Sequence, residues 1–308
     1  MELVTRPWIA FAVSLVGVGT ISATPAVGLP EFQDMNAWLA AADSDAITSW
    51  LDVFQAADAG AEDISDHFWY AFFPALQQEI VNRVGLVGDL IKNPFEVGTI
   101  GGQFLDLLGT ATAAHFTHFI PPADAADHLY STLSADHQDY FAALQQLTDG
   151  SDQSLLEFLA SPISGILWGV VGPILGPLLQ YDDDFSAVVR ALADFDFTAA
   201  FQGLMNMLPN GLDAYFNGYG PVEVSLPLSS LVPGSDGTIT SVDLGGLFSP
   251  GGSFFNALGL TGDDTTSPVT GEAVGMLGSL VEIQEAIAVS IGWDGIGNPI
   301  DALFDGGV

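Results

Sequence analysis

Five histidines and 38 carboxylates, set against only 4 lysines and arginines, are the groups from which this chain could build chemistry. His115 and His118 stand three apart, a spacing that can place two imidazoles on one helix face and hold a metal. Phe116, Phe119, Pro121 and Pro122 surround them, and aromatic helix packing is the simpler account. The remaining histidines, His67, His128 and His137, fall in the same N-terminal half. Asp182-Asp183-Asp184 and Asp263-Asp264 offer the oxygen ligands that Ca²⁺ takes, but neither follows the EF-hand spacing, and solvated loop acids are the plainer expectation. There is no nucleophile elbow, no phosphate loop and no dinucleotide fingerprint. There is also no cysteine, hence no thiolate chemistry. The expectation is a protein that is not an enzyme, with no catalytic residue, no cofactor and no metal.

Charge narrows the partners. The net charge is −34, with 10 Glu and 28 Asp. So few cations cannot neutralise a phosphate track, which excludes nucleic acid, and they cannot form the polybasic patch that binds anionic membranes. Yet 49% of the 308 residues are hydrophobic and the mean hydropathy is +0.40, a composition suited to a cell envelope. A strongly negative surface concentrates cations, so small cations or solutes are the expected guests.

The elements that must position these groups divide the chain into zones. Residues 1–26 read as a signal peptide: Arg6, an apolar stretch from Trp8 to Val18, then small residues ending at Ala23 or Ala26. The region 27–150 is amphipathic and helical. Asp34 is placed to cap a helix through Trp38 and Trp50, and Leu76, Ile80, Val84, Val87 and Ile91 form one helical stripe. Leu129, Leu133, Phe141, Leu144 and Leu147 form another. The region 151–220 holds 24 residues without a charge, Phe158 to Tyr181, and then an amphipathic helix through Phe185, Val188, Val189, Leu192 and Phe195. The region 221–308 is rich in Gly and Pro and packs on the same domain. It has a period-2 strand at Val222–Leu228, kept to a sheet edge by Pro227, and a partner at Ile239–Leu244 across a Ser235-Asp236-Gly237 turn. A last helix covers 272–291, with Leu280, Ile283, Ile287 and Ile291 on one stripe. The fold class is mainly α: a multi-helix bundle with a central hydrophobic helical segment and a small C-terminal β-hairpin.

Two segments stand out as candidate sites. The first contains Leu159, Ile163, Gly165, Trp168, Gly169, Gly172 and Gly176. Its small residues recur every three or four positions, which lets helices approach closely, and its length matches a ~30 Å hydrocarbon core. Pro162, Pro173 and Pro177 should break it into short pieces. A core hairpin and a membrane or assembly segment therefore both fit. The second is the aromatic cluster Phe68, Trp69, Tyr70, Phe72 and Phe73. One helix cannot turn all of these to a single core, so some should meet lipid, a further subunit or a second helix layer.

Three stretches, with two shorter ones, resemble the GjpA-type outer-membrane porins of mycolic-acid-bearing actinobacteria. They are 160–173 (ASPISGILWGVVGP), 247–260 (LFSPGGSFFNALGL) and 291–299 (IGWDGIGNP), joined by the opening Leu3, Arg6 and Pro7 and by Phe73-Pro74-Ala75-Leu76-Gln77-Gln78. The resemblance implies an exported protein of the cell envelope, in the mycolate outer membrane or cell wall. It also implies channel formation, with outer-envelope lipid or further copies of the chain as partners, and it supplies no catalytic residues. The alternative is a secreted, wall-associated helical binding or scaffold protein without a channel.

Overall fold

The longest apolar run decides how the rest is arranged. In the computed structural model, Pro162–Ala193 is one continuous helix of 32 residues. The structure describes residues 32–262 and 268–304; the expected leader and the Asp263-Asp264 pair lie outside them. Pro162 sits at the first helical turn, where its missing N–H costs nothing. Pro173 and Pro177 lie inside the helix and do not break it, contrary to the sequence expectation. Each interior proline costs about 3 kcal/mol. They are four residues apart, so both lost hydrogen bonds fall on one side of the helix, and packing along the glycines of that helix outweighs them.

In chain order the helices are α1 (Phe32–Tyr70), α2 (Pro74–Lys92), α3 (Val97–Ala113), α4 (Ala135–Gln145), α5 (Gly150–Leu159), α6 (Pro162–Ala193), α7 (Phe197–Phe216) and α8 (Met276–Ser290). Strands β1 (Gly218–Pro227), β2 (Thr238–Gly245) and β3 (Leu258–Thr261) lie between α7 and α8. The chain is mainly helical with a small antiparallel sheet. Residues 42–308 form one compact unit. Helix α1 is already helical at Phe32, so Asp34 stands within it rather than capping it.

The sheet contains the expected hairpin and one strand more. β1 pairs β2 with Val222 opposite Val242 and Leu226 opposite Ile239, and β3 adds to the far side of β2 with Leu260 opposite Ile239. The order β1-β2-β3 leaves β1 at an edge, where Pro221 and Pro227 cost least. β3 is four residues long and contains a glycine, too short for its period to be read from sequence. Leu133, Phe141, Leu156, Leu228, Phe255 and Leu258 form one core cluster around this sheet. Leu129, Phe119, Ala286 and Trp293 form a second.

Several helical stripes face outward. Leu76, Ile80, Val84, Val87 and Ile91 are all exposed, while Pro74 and Gln78 are the buried residues of α2. Within the stripe of 185–195 only Val188 is buried. Phe141 and Leu144 do enter the core, as do Leu129 and Leu133 from the preceding loop, while Leu147 stays outside.

The inner face of α6 has no room for side chains. A Cβ on Gly165 would lie 1.8 Å from the Gly252 carbonyl, one on Gly169 2.3 Å from the Met276 nitrogen, and one on Gly172 1.9 Å from the Gly245 carbonyl. Gly172→Ala is therefore expected to destabilise by about 1–3 kcal/mol through overpacking against backbone. Gly98→Ala, in an exposed turn of α3 with open space around it, should stabilise by about 0.5–1 kcal/mol. Urea unfolding of the two variants checks both, and a neutral Gly172→Ala would refute the close approach.

Candidate functional site

Of the expected segment residues, Gly165, Gly169, Gly172 and Gly176 are buried against the chain's own backbone. Leu159 is buried at the end of α5. Ile163 is half-buried, and its N–H donates to the His115 carbonyl. Trp168 is also half-buried: its Nε1 donates to the Asp243 carbonyl at 2.9 Å, and its ring meets Phe254 edge-on. The surface of α6 that faces outward is a different stripe: Leu167, Val170, Ile174 (61% exposed) and Leu178. Helix α7 adds Leu204, Met205 and Leu208. Among residues 162–181 no charge interrupts this apolar face.

The structure brings the aromatic cluster together at the corner between α1 and α2. Phe68 meets Trp69, Phe72 and Phe73 edge-on, and Trp69 stacks on Phe72 at 5.2 Å. Phe73 turns the corner with φ 49°, a left-handed conformation that a bulky residue seldom adopts. Trp69 is 66% exposed and Phe72 and Phe73 are exposed too. Tyr70 differs from the rest, stacking on His128 at 4.5 Å beside the second core cluster.

The stretches that carried the family resemblance are the ones that touch each other. The Phe255 N–H donates to the Leu159 carbonyl at 2.8 Å and the Phe254 N–H to Ser164 Oγ at 3.0 Å, joining 247–260 to the start of α6. The Ile300 N–H donates to Gln77 Oε1 and the Gln77 amide to Asn298 Oδ1, joining the C-terminal loop to the start of α2. These motifs hold the chain together.

The histidines and acids weighed as possible ligands do not come together. Helix α3 ends at Ala113, so His115 and His118 share no helix face. His118 Nδ1 instead pairs with Glu157 Oε2 at 2.7 Å. Burial pushes the Glu157 carboxyl up, and hydrogen bonds and charge from His118, with the Gln145 amide, outweigh it and hold it below the usual range. Asp183 accepts from the Tyr219 hydroxyl and Asp184 from the Asn210 amide. Among the described residues no group of three or more His, Asp or Glu could hold a metal ion.

Two acids that sequence reading missed lie at the centre. Glu282 and Glu285 on α8 are 0% and 1% exposed. Neither oxygen of Glu282 has a hydrogen-bond partner, nor has Oε1 of Glu285. Glu285 Oε2 accepts from the Tyr130 N–H at 2.9 Å, the Tyr130 hydroxyl donates to Asp63 Oδ2 at 2.6 Å, and the Tyr130 ring stacks on His67 at 3.8 Å. Burial, and then the neighbouring Glu285, push the Glu282 carboxyl well above the usual range. Burial pushes Glu285 up to about 8. The tyrosine hydroxyl is raised as well, by burial and by Asp63, Glu285 and Glu282. This arrangement keeps both carboxyls protonated well above the usual carboxylate range. The available signal was a pair of acids three apart in the otherwise uncharged run 273–293.

A pH dependence follows from Glu285. Between about 4.5 and about 8 the folded chain keeps a proton that the unfolded chain has released. Stability therefore falls as pH rises through that window, by about 1.4 kcal/mol per pH unit for one such group, and levels off above it. His137 acts in the opposite sense: burial lowers its pKa, so its contribution is lost as pH falls below about 6.5. Glu285→Gln is neutral at every pH and isolates the carboxyl. The wild-type Tm should fall relative to this variant between about pH 4.5 and 8, and parallel Tm curves would refute the buried proton.

Comparison with known proteins adds no relative: no family model matches the chain, and neither a curated protein nor a solved structure is similar to it.

Proposed function

We propose that this chain is an exported cell-envelope protein that works in contact with outer-envelope lipid and with further copies of itself, the assembly giving small cations a path. The observation that carries the reading is the outward stripe of α6. Residues 162–181 are 20 helical residues without a charge, about 30 Å long at 1.5 Å per residue, equal to the hydrocarbon thickness of a bilayer. Soluble monomers seldom expose large contiguous apolar surface, and the exposed stripe of α7, which packs along α6, adds to it. The glycine face of the same helix is occupied by the chain itself, so it is the leucine and isoleucine face that is left for lipid. The resemblance of 160–173, 247–260 and 291–299 to actinobacterial porins points to the same envelope.

A path for ions would be built between chains. Two cavities in a single chain have mainly apolar walls, the smaller with Glu79, Asn82 and Arg83 among its lining, and the three strands among the described residues form an open sheet rather than a barrel of eight or more. With a net charge of −34, carboxylates dominate any water-filled space between copies and favour cations. The second reading, a wall-associated binding protein without a channel, is supported by the larger of those cavities, about 560 Å³.

Planar-bilayer recording in a salt gradient tests the first reading. Mature chain lacking residues 1–26 should give discrete conductance steps with cation-selective reversal potentials. Ile174→Asp with Leu178→Asp should abolish incorporation while leaving the circular dichroism unchanged. A silent bilayer with folded protein, or anion selectivity, would overturn it.

A further inference from the structure

Helices α1 and α8 enclose a half-open cavity of about 560 Å³ with Phe68, Phe248, Leu277 and Leu280 on its walls. That volume lies within the ~300–1,000 Å³ typical of small-molecule sites. Beside the cavity, α1 is fixed closely against the segment that carries Phe248. Gly60 of α1 approaches the Phe248 carbonyl so closely that a Cβ would lie 2.5 Å from it, and Phe248 is stacked on Phe216.

Two polar side chains line the cavity, Ser65 from α1 and Gln284 from α8. Neither makes a hydrogen bond to the described chain. No lysine, arginine or histidine lines it, while Glu62, Asp63 and Asp66 stand exposed on the adjoining turns of α1. An anionic headgroup would meet only like charge there. A cationic one would find no carboxylate in the wall. An uncharged group that exchanges hydrogen bonds with one hydroxyl and one amide fits both the charge and the donors.

We propose that this cleft binds one acyl chain of an uncharged lipid, its methylenes against the apolar walls and its neutral hydroxyl or ester head at Ser65 and Gln284. The site is separate from the α6 stripe and does not require that assembled chains conduct.

Calorimetric titration of the mature chain with monododecanoylglycerol, below its aggregation concentration, tests this without a bilayer. One saturable site is expected. The decanoyl homologue, two methylenes shorter, should bind about fifteenfold more weakly, and dodecanoate, with the same chain and a charged head, more weakly still. Leu280→Trp fills the cleft and should cost at least tenfold at unchanged Tm. Gln284→Ala should cost about fivefold and needs no new volume. Phe95→Ser, on a residue 99% exposed elsewhere, should change nothing. Equal binding of dodecanoate and the glyceride, or binding insensitive to both cleft variants, overturns the proposal. So does a concentration-dependent dimer that Leu280→Trp abolishes in place of lipid binding, since the cleft would then belong to a second copy.

Discussion

Along Gly165, Gly169 and Gly172, helix α6 has no side chains, and the backbone of 245–252 and 275–276 occupies the space. The rest of the molecule is arranged around this backbone-on-backbone approach. It sets β2 against α6, brings α8 alongside, and lets 247–260 reach back to hydrogen-bond Leu159 and Ser164. It also explains how Pro173 and Pro177 are tolerated. A helix pinned along one face by close packing does not depend on every intrahelical hydrogen bond.

The same packing has a consequence at the surface. With glycines inward, the bulky residues of a largely apolar helix turn outward, and Leu167, Val170, Ile174 and Leu178 meet the surroundings. Helix α2 repeats the pattern, with Gln78 inside and Leu76, Val84 and Val87 outside. Such inverted amphipathicity is costly in water. The charge is segregated accordingly: no acid interrupts 162–181, and Asp182 begins where the apolar stripe ends.

Inside, the chain concentrates protons instead of ions. Glu282 and Glu285 are buried, and Glu285 accepts from the N–H of Tyr130, which is itself tied to Asp63 on α1. Ionising either acid leaves an unpaired buried charge, which is expensive. α8 is therefore most secure when these carboxyls are neutral, while its outer side, at Leu277 and Leu280, remains free to line a ligand cavity.

Helix periods, the edge strand with its prolines and the absence of catalytic motifs are local properties, and these were legible in the sequence by itself. So was the acidity, 38 Asp and Glu against 4 Lys and Arg. Facing was not. A period of 3.6 shows that Leu76, Ile80 and Val84 share a side, but which side meets solvent depends on what packs against Gln78. The glycine spacing of α6 announced a close approach without naming the partners, which are the backbone of 245–252 and of 275–276, some 70 to 110 residues later in the chain. β3 was too short to show a period, and Glu282 and Glu285 look like any two surface acids until α8 is enclosed. Burial is a property of the assembled chain, and it is burial that raised the pKa of two ordinary glutamates and left a run of leucines as an exposed face.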